Sequence, residues 1–254
     1  MRRAPRVLQP PQQAASILTL MLGLACAVYS GQATASTIVA PVSASATSNF
    51  GPTPNDYSIE NTIDQSGLSS GYESGDNFET YLAGGPTHTS LSNGNEWFSQ
   101  NYGSNGIVGL TVTYGFSALT FINGFALWNE EFAGLGTTHL EYSVNGSTYT
   151  YLDTIIPVRS TFASGTTSVP YSAQLFSFSL TEMLFFRLVI EDCPGPPRRA
   201  RSSYRGCGIG EVAFSAELGP VDNNHIVPLP AALPLLASAL GLFAWMGRRR
   251  KSFS

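Results

Sequence analysis

Through the middle of the chain, apolar and polar residues alternate with a period of two, the pattern of strands with one buried face. In "GLTVTYGF", Leu110, Val112, Tyr114 and Phe116 fall on one side, with Thr111 and Thr113 on the other. "LFSFSL" sets Phe176, Phe178 and Leu180 against Ser177 and Ser179. In "HLEYSVNGSTYTYL", Leu140, Tyr142 and Val144 alternate up to Asn145-Gly146, and Tyr149 and Tyr151 alternate away. Asn-Gly tolerates positive φ at both central positions, so the pattern predicts a hairpin around a type I′ turn. "FFRLVI", Phe185 to Ile190, is apolar on both faces except at Arg187 and predicts a central strand. "GEVAFSAEL" closes the series with Val212 and Phe214 inward. No stretch carries a convincing helical period. Many short strands and 25 glycines predict an all-β, antiparallel sandwich or barrel.

The flanks read differently. Arg2, Arg3 and Arg6 precede an apolar run, Ile17 to Tyr29, and a small-residue stretch, Ala33 to Ala35. That order predicts a secretory signal peptide, residues 1–35, removed by signal peptidase before Ser36. Residues 36–54 are rich in Ser, Ala, Thr and Pro and are expected to form a flexible leader that ends in a first strand. The sandwich is assigned to residues 55–218 and a polar linker to 219–226. Residues 227–254 hold an uncharged run, Ala231 to Met246, and then Arg248, Arg249, Arg250 and Lys251. Sixteen helical residues cover roughly 24 Å, short of a ~30 Å hydrocarbon core unless flanking residues help. The basic cluster would stay cytoplasmic and leave the rest outside.

Composition narrows the partners. All 17 acidic residues lie in 36–226, against six arginines and no lysine, a balance of −11. Such a surface disfavours nucleic acid and anionic lipid and suits a soluble exported domain. Once Cys26 is lost with the signal, Cys193 and Cys207 remain, and an even pair in an exported chain predicts a structural disulfide.

Chemistry-bearing patterns are sparse. His88, His139 and His225 have no metal spacing to one another or to cysteine, and no nucleophile elbow or zincin motif occurs. No catalytic residue is assigned, and the chain is not expected to be an enzyme. Adjacent strand residues point to opposite faces, so Glu130 and Glu131 are expected to be one exposed and one loop-capping residue. A hydrolase would require Glu130 or Glu131 to face Glu96 or Asp153 across a cleft. Tyr102, in the loop "QNYGSNG", Trp128 and Asn129 at a strand exit, and Tyr204 in the disulfide loop are the candidates for contact with a sugar. Trp97 reads as core. The run "PGPPRRARSSYRG", with Arg198, Arg199, Arg201 and Arg205, is either a solvated loop or a contact for acidic polymers.

Two resemblances organise these observations. Val227, Pro228, Leu229, Pro230 and Ala231, the short apolar run and the terminal arginines closely resemble the PEP-CTERM sorting tail, with Leu229 where a Glu is commoner. The resemblance implies an address that an exosortase recognises and removes after transient anchoring in the inner membrane; a permanent tail anchor is the alternative. It places the mature protein at the cell surface or in the extracellular matrix. The series "NTIDQSGLSSGY", "NEWFSQNYGSNGIVGLTVTYGF", "INGFALWNEE", "LEYSVNGSTYTYL", "FFRLVIEDC" and "GIGEVAF" resembles the galactose-binding, discoidin-type jelly rolls. This second resemblance implies carbohydrate binding. It also implies a structural calcium ion held by Asp64 and Glu211, the alternative being that Asp64 caps a turn and Glu211 pairs with an arginine. A purely structural matrix component without a glycan site is the competing reading.

Overall fold

The computed structural model describes residues 35–50, 57–90, 94–102, 109–158, 169–193 and 204–219. The signal segment and the sorting motif (Val227, Pro228, Leu229, Pro230, Ala231, Arg248, Arg249 and Arg250) lie outside the described residues, as do Arg198, Arg199 and Arg201.

Among the described residues ten strands carry the fold: β1 (Thr37–Val39), β2 (Ser43–Ala46), β3 (Thr87–His88), β4 (Trp97–Phe98), β5 (Leu110–Asn129), β6 (Thr138–Ser143), β7 (Thr150–Ile155), β8 (Tyr171–Ser172), β9 (Gln174–Ile190) and β10 (Gly208–Ala216). A short helix, α1 (Phe78–Ala83), and a 3-10 turn, Ile59–Thr62, are the helical pieces among the described residues. Among the described residues every pairing between strands is antiparallel: one sheet has the order β1-β10-β5-β9-β6-β7, with β2 and β4 added to β5 and β10, and β3 pairs with β8 in a second. This is the all-β antiparallel architecture expected from the alternation.

The two longest strands make it a sandwich. β5 and β9 pair over Leu110–Gly115 with Phe185–Ile190, lose register between Gly115 and Thr120, and pair again over Thr120–Leu127. Bulges add twist and bend a strand, so the β5–β9 ribbon curves where its register shifts. The layers then face one another through rings. Phe214 of β10 lies 5.0 Å from Phe116, 5.1 Å from Phe186 and 5.8 Å from both Tyr114 and Phe125. All five rings are buried, and their mostly edge-to-face or tilted geometry is the favoured one for aromatic pairs. Leu110, Val112, Tyr114 and Phe116 occupy this core as the alternation predicts, and Arg187 leaves it to meet Glu141 and the face of Tyr149.

Two expectations are corrected here. Thr37–Ala46, expected to be mostly leader, supplies β1 and β2; Ile38 is buried and Thr37 pairs with Ala216. The Asn145-Gly146 hairpin is not a two-residue turn. Among the described non-glycine residues only Gln65 has positive φ, so Asn145 cannot be a type I′ residue. Instead Asn145 Oδ1 accepts from the amides of Ser147 and Thr148, capping a wider loop that leaves Val144 exposed. β10 is buried along its whole length, because Val212 and Phe214 face the aromatic core while Ala213 packs into a second cluster with Ile38, Tyr72, Phe78, Trp128 and Tyr171.

Candidate functional site

The structure separates the residues proposed for sugar contact. Trp128 is fully buried in the second core, with Nε1 donating to the Pro86 carbonyl at 3.1 Å. It ends β5 on the face that α1 and the Tyr72 loop cover, so its ring is packing material, as large aromatics usually are. Asn129 is also buried. Its Oδ1 accepts from Leu135 N at 2.7 Å and its Nδ2 donates to Leu135 O, closing the turn after β5. Neither side chain offers a surface to a ligand. Trp97 is core, with Nε1 on Asn49 Oδ1.

Tyr102 stays half-buried against the main core, and near it lies a group of rings of which the sequence singles out Tyr204 alone. Phe50, 39% exposed, lies 5.9 Å from Tyr57 and 5.5 Å from Tyr204; Phe98 lies 5.1 Å from Tyr57 and 5.7 Å from Tyr204. Hydrogen bonds fix the arrangement. Tyr204 donates its hydroxyl to Ser99 O at 2.6 Å, Tyr102 N donates to Arg205 O, and Arg205 N donates to Asn101 Oδ1. Burial pushes the Tyr204 hydroxyl far above its ordinary range, so it remains a neutral donor. The Cys193–Cys207 disulfide, as expected, is formed, with Cα atoms 5.2 Å apart, and Cys207 is buried just ahead of β10. The result is an aromatic end with the side chains of Gln100 and Asn101 exposed at its edge and Arg205 half-buried among them.

Beneath this end lies a buried polar layer. Glu96, Glu130 and Glu131 are 0–3% exposed, which overturns the expectation of one exposed and one capping residue. Glu130 does cap the loop, accepting from Phe132 N and Ala133 N through Oε2. Desolvation pushes Glu96 up to about 7, with the Glu131 charge adding to it. Desolvation and then Glu131 push Glu130 well above its ordinary 4.5. The three carboxyls sense one another, as a hydrolase would need, yet none reaches solvent. Asp153 sits apart on β7.

Asp64 and Glu211 are brought to one turn. Glu211, buried in β10, accepts from Gln65 N at 2.8 Å through Oε2 and from the Tyr72 hydroxyl through Oε1. Asp64 Oδ1 caps Ser66 N at 2.7 Å, as the turn-capping alternative has it, and Glu211 has Tyr72 where an arginine was the alternative. Burial, and the Asp64 charge to a smaller degree, raise the Glu211 pKa well above 4.5. Gln65 between them holds φ 64, a left-handed conformation uncommon outside glycine. Two hard-oxygen carboxylates at one turn are donors that calcium accepts. Among the described residues no three His, Cys, Asp or Glu side chains gather closely enough to hold a metal by themselves, so backbone carbonyls would have to complete the shell.

No family model matches the chain, and no curated protein does. Solved structures similar to it include three carbohydrate-binding modules. One, CpGH89CBM32-5 from Clostridium perfringens, in complex with GalNAc-β-1,3-galactose, is 13% identical over 68% of this chain and 93% of its own, with a TM-score of 0.44. Chitosan-binding module 1 of a chitosanase/glucanase from Paenibacillus sp. IK-5 is 13% identical over 69% and 95%, with a TM-score of 0.42. The CBM32 of AlyQ in complex with 4,5-unsaturated mannuronic acid is 17% identical over 70% and 96%, with a TM-score of 0.40.

Proposed function

We propose that this chain is an exported, non-catalytic module that binds carbohydrate at the aromatic end of its sandwich, at the cell surface or in the extracellular matrix. The observation that carries the reading is the cluster of Phe50, Tyr57, Phe98 and Tyr204 beside Tyr102, held rigid by hydrogen bonds and the disulfide and edged by Gln100, Asn101 and Arg205. Apolar ring faces with a few fixed polar groups suit the alternating C–H and O–H faces of a sugar. The net charge of the exported part points to a ligand that is neutral, or acidic and bound locally through arginine. The producer's own exopolysaccharide is such a polymer. In this reading the C-terminal tail is the address read and cut by an exosortase, and signal peptidase acts at the other end. Calcium, if bound, is held by Asp64 and Glu211 and stiffens the turn against β10.

The test is equilibrium binding of the full-length chain to polysaccharide from the producing organism, with calcium and with EDTA. Saturable binding that drops at least tenfold in Tyr102→Ala and Phe50→Ala, with unchanged melting temperature, supports the site. Absence of binding in both buffers returns the chain to the structural matrix reading.

A further inference from the structure

We infer that His88 and Glu96 form a buried imidazolium–carboxylate pair, with the shared proton resident on His88, and that the charged ring pins the Ser66 turn to the end of β3.

His88 has no solvent exposure, and its ring is wedged between glycines. A Cβ on Gly67 would lie 2.7 Å from Cε1 and Nε2, and one on Gly210 would lie 2.9 Å from Cγ. Both ring nitrogens face backbone carbonyls, Nδ1 at 2.9 Å from Thr89 O and Nε2 at 3.1 Å from Ser66 O. A neutral imidazole has one N–H and one bare lone pair. One of the two contacts would then set a lone pair against a carbonyl oxygen. Only the imidazolium donates at both.

The charge that such a cation needs is already present. Glu96 Oε1 lies 3.9 Å from His88 Nδ1, both side chains are fully buried, and neither Glu96 carboxyl oxygen has a hydrogen-bond partner among the described residues. A protonated Glu96 would bury an O–H with no acceptor, a second mismatch that costs on its own. Moving that proton to His88 satisfies both ring contacts, sets a cation 3.9 Å from the Glu96 carboxylate, and leaves the pair with zero net charge either way. Burial alone pushes His88 down and Glu96 up, each against its own charged form. The pair titrates as a unit, however, and hydrogen bonding selects where its proton sits.

The surroundings agree in sign. Backbone carbonyls of Thr89, Ser66 and Asn95 and the Asp64 carboxylate all favour a positive ring. From β8, Tyr171 packs at 5.3 Å and stays neutral because burial holds its pKa far above 10. From the end of β5, Glu130 and Glu131 press on Glu96, and Glu211 of β10 reaches Tyr171. In a site so rich in carboxyls the imidazolium supplies the balancing positive charge. When rising pH removes its proton, the carbonyl of Ser66 or of Thr89 loses its donor and Glu96 becomes an uncompensated buried anion.

The full-length chain has three histidines, His88, His139 and His225. Ring-nitrogen NMR on ¹⁵N-histidine-labelled protein carrying His139→Asn and His225→Asn isolates His88. At pH 7.5 both His88 ring nitrogens are expected to carry protons, and in Glu96→Gln the same ring is expected to show one bare nitrogen. A bare nitrogen in the protein with Glu96 intact overturns the inference, and so does a Glu96→Gln ring that stays doubly protonated. If Glu96→Gln fails to fold, the first spectrum decides alone. Neither result depends on sugar binding.

Discussion

Glu130 offers a sharp test of the buried polar layer. Its pKa is raised in the folded state, so between pH 4.5 and the folded value the native protein holds a proton that the unfolded chain has lost. The stability from this group is therefore fully present below about pH 4.5 and is lost as pH rises through the folded pKa. The slope is about 1.4 kcal/mol per pH unit for one such proton. Each pH unit inside that window lowers the melting temperature by about 3–6 °C for a domain of this size. Glu130→Gln keeps an oxygen to accept from Phe132 N and Ala133 N, places an amide where a carboxyl oxygen faced Glu131, and cannot ionise. Its melting temperature should fall less over the same range, by the contribution of one proton. Glu130→Ala instead strands two buried N–H groups and should lose about 2–6 kcal/mol at every pH. The assay is thermal unfolding of wild type and both variants at pH 5, 6 and 7. A wild-type melting temperature that is flat or rising, or a Gln variant with the wild-type slope, would falsify the assignment of a protonated Glu130.

Other consequences are open to measurement. Trp128→Phe should lower stability by about 1–3 kcal/mol, because Pro86 O loses its donor, and leave sugar affinity within about twofold; a large loss of affinity at unchanged stability would restore Trp128 as a contact. If calcium sits at the Asp64 turn, EDTA should lower the wild-type melting temperature and leave Asp64→Asn unaffected, and equal melting of wild type with and without EDTA would remove the ion. Cys193→Ser, at the half-buried end of the bridge, should cost about 3 kcal/mol for a loop of this length, read as a drop in the urea midpoint that reductant reproduces in wild type.

Strands were legible where one face is buried and the other is not. Leu110, Val112, Tyr114 and Phe116 announce themselves because threonines separate them. The disulfide needed only parity and an exported context. Trp128 and Asn129 were misplaced because "LWNEE" looks like an exit to solvent. Whether the turn after a strand is covered depends on a distant segment, here the α1 and Tyr72 region, and no local pattern encodes that. Glu96, Glu130 and Glu131 escaped for the same reason: charge predicts exposure unless tertiary packing overrides it. The aromatic end could have been suspected from Tyr57, Tyr102 and Tyr204, all in polar, glycine-rich stretches. Their meeting is set by topology, since Phe98 pairs with Gly208 and Tyr204 is drawn in by the bridge to Cys193.

β10 has a mechanical meaning beyond its packing. It begins at Gly208, paired with Phe98 beside the aromatic end, and runs to Ala216, flanked by β5 on one edge and by β4 and then β1 on the other. If the proposed polymer pulls at the aromatic end against a chain held downstream of Ala216, it loads β10 along its own axis. Its hydrogen bonds to β5 and β1 then share the force in shear and do not open one at a time. A module gripped this way yields only when many bonds fail together, a geometry suited to a tether.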